Sequence, residues 1–400
     1  MNSTTVQPTS ARTLAGSMNE ESGGLFRFFL LPLMTTLLFL QAFRVYIGQV
    51  YFQNLSEMSL GPSILLVFLL LSPAAILLVR NIQNETLLIL TATGVAAFRF
   101  IMPFVQTALA AYLLVAGMTV AFYGMYLTVA VSMRSKDKQE SLPSDTLLLS
   151  IGISLGIAAD LTFRNIGVTW DLTTGPLGIL VAPVLCIVTF ILIYASCSAS
   201  KETPSASAQM TRTASRMKIT FAGLGFGGVM FAVLTFLAYP NVLSRWTNSY
   251  YEVASISVFG GLIGYVLIAT STTGRNLLMQ KKIIIPLNLV TLVVAIDLAY
   301  LLSPFTAVLA GVTIFAFMLN LRILWMFLSS HNAHLSDYVI FHFAGMLLLL
   351  FLLLFSVLTV AAGQILTTLE GLTPYLILIG FVLAVAPALV ISAGSMEVFE

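Results

Sequence analysis

From Leu25 onward the chain is a succession of apolar runs, each long enough to cross a lipid bilayer, separated by short polar stretches. A bilayer core about 30 Å thick takes about 20 apolar residues as a helix, and lipid offers no hydrogen-bond partner to an exposed backbone. Runs of that length have one stable form, the helix, and the helices must pack on one another. Charged residues make up 8% of the 400, too few to coat a soluble globule of that size. A nucleic-acid binder, a disulfide scaffold and a disordered chain are excluded on the same ground. The sequence specifies an all-α, polytopic transmembrane helix bundle.

About twelve spans are predicted. They fall at residues 25–50, 60–79, 86–103, 104–131, 146–163 and 176–194, then at 219–239, 253–269, 284–302, 304–328, 338–362 and 374–391. Pro103 and Pro304 separate spans that otherwise run together, because proline lacks a donor and disfavours helix before it. Residues 1–24 read as a flexible polar tail, and 199–218 as a linker whose Ser, Ala and Pro content suits a flexible connector. That linker divides the chain into two six-helix bundles, 25–198 and 219–400. Faint matches at an offset of about 200 residues support a repeat: Pro103-Phe104 with Pro304-Phe305, and Asp171 with Glu370, each ahead of a Thr and a Pro.

The basic residues orient the chain. With the N-terminus inside, Arg12, Arg27, Arg80, Arg134, Lys136, Lys138, Lys201, Arg212, Arg216, Lys218, Arg275, Lys281 and Lys282 all lie on the cytoplasmic side, against Arg164 and Arg245 opposite. The positive-inside rule then puts both termini in the cytoplasm of a cell membrane, or of the endoplasmic reticulum membrane if the cell is eukaryotic.

Charges within spans are costly and mark cavities or partners. Arg99, Asp160 and Asp297 each lie about 20 Å from the inner end of their span. Arg44 lies in the outer part of span one, and Arg164 and Asp171 border the same outer face. One reading is a polar cavity open to the outside, in which Arg44 and Arg99 grip an anionic group while Asp160, Asp297, Arg164 and Asp171 contribute. The other is a set of interhelical ion pairs, with Asp160 and Arg164 paired at i, i+4. Arg322 is expected to snorkel to the cytoplasmic surface. His331, His334, Asp337 and His342 are read as solvated loop groups. The pairs Gly152/Gly156 and Gly223/Gly227, and the group Gly260, Gly261 and Gly264, read as flat packing faces.

Three histidines and two separated cysteines, Cys186 and Cys197, make no metal-ligand pattern, and no cofactor is implied. Nucleotide-binding and hydrolytic signatures are absent, so the sequence points away from an enzyme and from ATP-driven pumping.

The six-plus-six plan resembles the major facilitator superfamily. The basic, glycine-containing motif of that superfamily is missing between spans two and three, where the loop reads Val79-Arg80-Asn81-Ile82-Gln83-Asn84-Glu85; Gly274-Arg275 after span eight is at most a remnant of it. A second resemblance rests on Leu40-Gln41-Ala42-Phe43-Arg44, Phe98-Arg99-Phe100, the block from Gly156 to Arg164, and Gly167 to Leu172. These are similar to the membrane region beside endonuclease/exonuclease/phosphatase domains and to proteins that remodel GPI-anchor lipid. It implies lipid handling at the outer leaflet, with a separate soluble hydrolase as partner.

Three functions follow as expectations. The first is a secondary transporter taking a small-molecule or lipid-like anionic substrate. The second is an outer-leaflet lipid-handling protein. The third is a structural assembly partner among membrane lipids.

Overall fold

The computed structural model describes residues 25–30, 32–33, 36–37, 142–166, 216–237, 248–301, 303–330, 337, 339–349, 351–352 and 373–395. After a π-helical turn at Phe26–Leu30 come α1 (Leu142–Ile166), α2 (Arg216–Leu237) and α3 (Asn248–Thr270). A short α4 (Thr272–Leu278) leads to α5 (Lys281–Ile296), which widens into a π-helical turn at Asp297–Leu301. Then follow α6 (Pro304–Ser330), α7 (Val339–Leu349) and α8 (Thr373–Ser395). Six of the described helices are long and apolar enough to cross a membrane. The protein is a polytopic helical membrane bundle.

Each described span lies on a predicted apolar run and extends a few residues past it. The run 253–269 becomes Asn248–Thr270, because backbone hydrogen bonding carries the helix beyond the point where apolar side chains stop. Pro304 opens α6 at its first helical position, where a missing N–H costs nothing.

Helix α6 is the hub. It packs against α1, α2, α3, α5 and α8, and from Ala316 to Leu328 every side chain on it is buried. Around it α8 lies on α2 and α5, while α1 lies on α3.

Glycines set the closest approaches. On α1, a Cβ at Gly152 or Gly156 meets the backbone of Phe29 or Leu33. On α2, a Cβ at Gly223 or Gly227 meets the carbonyls of Phe341 and Gly345 of α7, and one at Gly228 meets Ala384 of α8. Gly225 abuts the ring of Pro387, the proline inside α8. On α3 it is Gly261 that packs, against Gly311 of α6, whereas Gly260 and Gly264 face open space. The flat face expected of that group is thus a single contact.

Candidate functional site

Among the described residues, buried polar side chains are joined by hydrogen bonds at three places. The first is the seam between α1 and α3. Ser150 Oγ lies 2.7 Å from the Tyr265 hydroxyl. Ser150 also donates to the Leu147 carbonyl at 2.8 Å, so its proton is committed and Tyr265 is the donor to Ser150. One turn on, Ser154 donates to the Ser150 carbonyl. Tyr265 is fully buried, and Arg322 of α6 interacts electrostatically with it. Arg322 is 3% exposed. The expectation that it reaches the surface is therefore corrected: α6 is enclosed on its sides by other helices, and the side chain has no open route along which to snorkel.

The second place is the centre of α5, α6 and α8. Asn320 Nδ2 donates to Asn288 Oδ1 at 2.8 Å and to the Ala384 carbonyl at 3.1 Å. Asn288 Nδ2 donates to Asn320 Oδ1 at 3.2 Å and to the Ile284 carbonyl at 3.0 Å. Both amides are fully buried, and each serves as donor and acceptor to the other.

The third is the turn between α5 and α6. Asp297, buried in the π-helical turn, accepts Ser303 Oγ at 2.7 Å and the hydroxyl of Thr306 in the first turn of α6. A carboxylate there also meets the positive end of the α6 dipole. The wide turn of Asp297–Leu301 brings the carboxylate over the start of the next helix.

Asp160 is on α1 and 0% exposed, and it makes contacts within the bundle. Arg164 continues the same helix, but its side chain, like Arg44, Arg99 and Asp171, lies outside the described residues. The structure keeps Asp160 and Asp297 on different elements, with Asp297 committed to the α5–α6 turn. His342 is 3% exposed rather than solvated. Its ring stands edge-on to Phe226 and Phe341 at 5.5 and 5.2 Å and lies 5.4 Å from Trp325.

The sequence reading passed over Ser150, Tyr265, Asn288 and Asn320. Two buried asparagines in apolar spans were the available signal, since a polar group in lipid needs a partner.

Two solved structures share the fold. A bacterial homologue of the iron transporter ferroportin, captured in an outward-facing state, is 13% identical with a TM-score of 0.60, covering 94% of this chain and 98% of that one. The human organic anion transporter MFSD10 (TETRAN) is 12% identical with a TM-score of 0.56, covering 96% of this chain and 100% of that one. No family model and no curated protein matches the sequence. The resemblance to nuclease-associated and GPI-remodelling membrane regions finds no counterpart among these matches. The chain shares the fold of these two proteins.

Proposed function

We propose that the protein is a secondary transporter that moves an anionic solute by rocking two helix bundles, 25–198 and 219–400, about their common seam. The observation that carries this reading is a contrast between seams. Among the described residues, every glycine in close interhelical contact touches an element of its own bundle: Gly152 and Gly156 within the first, Gly223, Gly225, Gly227, Gly228, Gly261, Gly311, Gly345 and Gly380 within the second. Such contacts lock backbones together. Between the bundles, α1 packs on α3 and α6, and the polar link across that seam is the Ser150–Tyr265 hydrogen bond. One such bond is worth about 1 kcal/mol, so it can break and re-form in a working cycle.

With both termini in the cytoplasm, Ser150, Tyr265 and Arg322 lie in the cytoplasmic half of their spans. The bundles then touch on the inside, and the cavity expected from Arg44, Arg99, Asp160, Arg164 and Asp171 opens outward. Of the two solved proteins named above, one is described as an organic anion transporter and the other as a homologue of an iron transporter.

The test is uptake. Purified protein in proteoliposomes, offered a panel of radiolabelled organic and inorganic anions with and without a proton gradient, should accumulate at least one. Asp160→Asn should reduce uptake at least about tenfold while the melting temperature stays close to wild type. Empty-vesicle rates across the whole panel would sink the proposal. Release of labelled fatty acid from vesicle lipid would favour the lipid-handling reading instead. Thiol labelling of Ser205→Cys from outside intact cells should fail; labelling there would reverse the orientation.

A further inference from the structure

We propose an oxyanion-binding site at the cytoplasmic end of the second bundle, formed by Arg322 of α6 and Arg275 of α4. It takes the phosphate or carboxylate group of a small anion or of a lipid headgroup. It stands apart from the outward cavity and holds whether or not the protein transports a solute.

Arg322 carries a charge in an almost fully buried position, and its Nε and Nη1 are buried without a hydrogen-bond partner. The Nε of Arg275 is buried and unpartnered as well. The two guanidiniums interact electrostatically and, being alike in charge, repel. No carboxylate pairs with either among the described residues. Tyr265 keeps its proton as the donor to Ser150, so it is neutral and offers the Arg322 charge no counter-ion.

The backbone fixes this arrangement. Ser271 caps α4 by accepting the Gly274 N–H at 3.0 Å, and the Arg275 N–H reaches the Ser271 carbonyl at 3.0 Å. At Gly274 a Cβ would collide with the Ile268 carbonyl, so only glycine lets α4 fold back this tightly on the end of α3. The Gly274-Arg275 pair therefore holds a second guanidinium at the end of α3, within electrostatic range of the first. Two guanidiniums within electrostatic range of each other, both with buried unpartnered N–H groups, offer donors that an oxyanion satisfies, since each of its oxygens accepts charge-assisted bonds. A buried charge left without a partner is strongly unfavourable, and an anion between the arginines removes both the desolvation and the repulsion.

The experiment is thermal unfolding of the full chain, first in neutral detergent with inorganic phosphate titrated against chloride at fixed ionic strength, then in nanodiscs. The melting temperature of wild type should rise saturably with phosphate, or in phosphatidylcholine nanodiscs on adding phosphatidylglycerol. A phosphate response assigns the site to a free anion; a response to phosphatidylglycerol alone assigns it to a headgroup. Arg322→Met should melt higher than wild type without anion, because the uncompensated charge is gone, and should lose the response. Arg275→Gln should raise the half-saturating concentration about tenfold. Should Arg322→Met not fold, Arg322→Lys keeps the charge without the planar fork and should weaken the response similarly. Absence of any saturable response in wild type, or a response unchanged in these variants, overturns the site.

Discussion

The Ser150 and Tyr265 hydroxyls lie 2.7 Å apart, joining helices whose contact residues are 115 positions apart in the chain. Tyr265→Phe keeps the ring and deletes the hydroxyl that donates to Ser150 and lies near Arg322. Ser150 stays bonded to the Leu147 carbonyl, so no orphan is created there. We predict a loss of about 1 kcal/mol across this seam, equivalent to about a fivefold shift toward separated bundles. The readout is alkylation of Ser154→Cys, one turn along α1 and buried in the closed seam. With Cys186 and Cys197 replaced, its rate should rise about fivefold in Tyr265→Phe. An unchanged rate would mean that the seam does not open through this bond.

Asn288 and Asn320 act as a pair. Either single change to leucine strands the buried amide of the other, at a cost of about 1–3 kcal/mol. Replacing both removes the orphan, so the double variant should be less destabilised than the sum of the singles. A double-mutant cycle on thermal or denaturant unfolding should give a coupling of about 0.6–1.7 kcal/mol. Strict additivity would show that the two amides do not depend on one another.

Asp297 offers a way to separate turn-building from ligand binding. Asp297→Asn keeps an acceptor for Ser303 and Thr306 and should fold nearly as well as wild type. Asp297→Ala should lose about 1–3 kcal/mol, because both hydroxyls lose their acceptor and α6 loses a favourable charge at its start. Unfolding curves of the two variants test this. Equal stability of Asp297→Ala and wild type would reopen a role in binding.

Two glycines on neighbouring helices should respond in opposite directions. Gly227→Ala drives a methyl group into the Gly345 carbonyl and should cost about 1–3 kcal/mol. Gly264→Ala meets nothing within 4 Å and should be neutral or gain up to about 1 kcal/mol of helix propensity. Melting temperatures of the two proteins settle the matter, and equal losses would contradict the packing described.

The spans were legible because lipid leaves an apolar run few options: 304–328 became Pro304–Ser330 and 374–391 became Thr373–Ser395. The small-residue spacing of Gly152/Gly156 and Gly223/Gly227 also foretold close packing, though not the partners, which are fixed by tertiary structure. Pairings of neutral side chains were not legible. Ser150 with Tyr265 and Asn288 with Asn320 carry no charge to draw attention, and nothing local brings them together. Asp297 falls within an apolar span as read from the sequence, but its partners come from a helical widening that no periodicity announces. Arg322 misled because nearness to a helix end suggests escape to water, whereas exposure depends on the neighbours of α6.

The glycine face of α2 carries a consequence for how the protein is made. Gly223 and Gly227 close against α7, and Gly228 against α8, segments that leave the ribosome long after α2. At about 5–20 residues per second, the interval between Gly228 and Ala384 is on the order of ten to thirty seconds. During that time α2 sits in the bilayer with a smooth, sticky stripe and without its own partners. Biogenesis must therefore hold α2 apart from other small-residue helices until α8 arrives, and a chain truncated before Thr373 should be recognised as unfinished by membrane quality control.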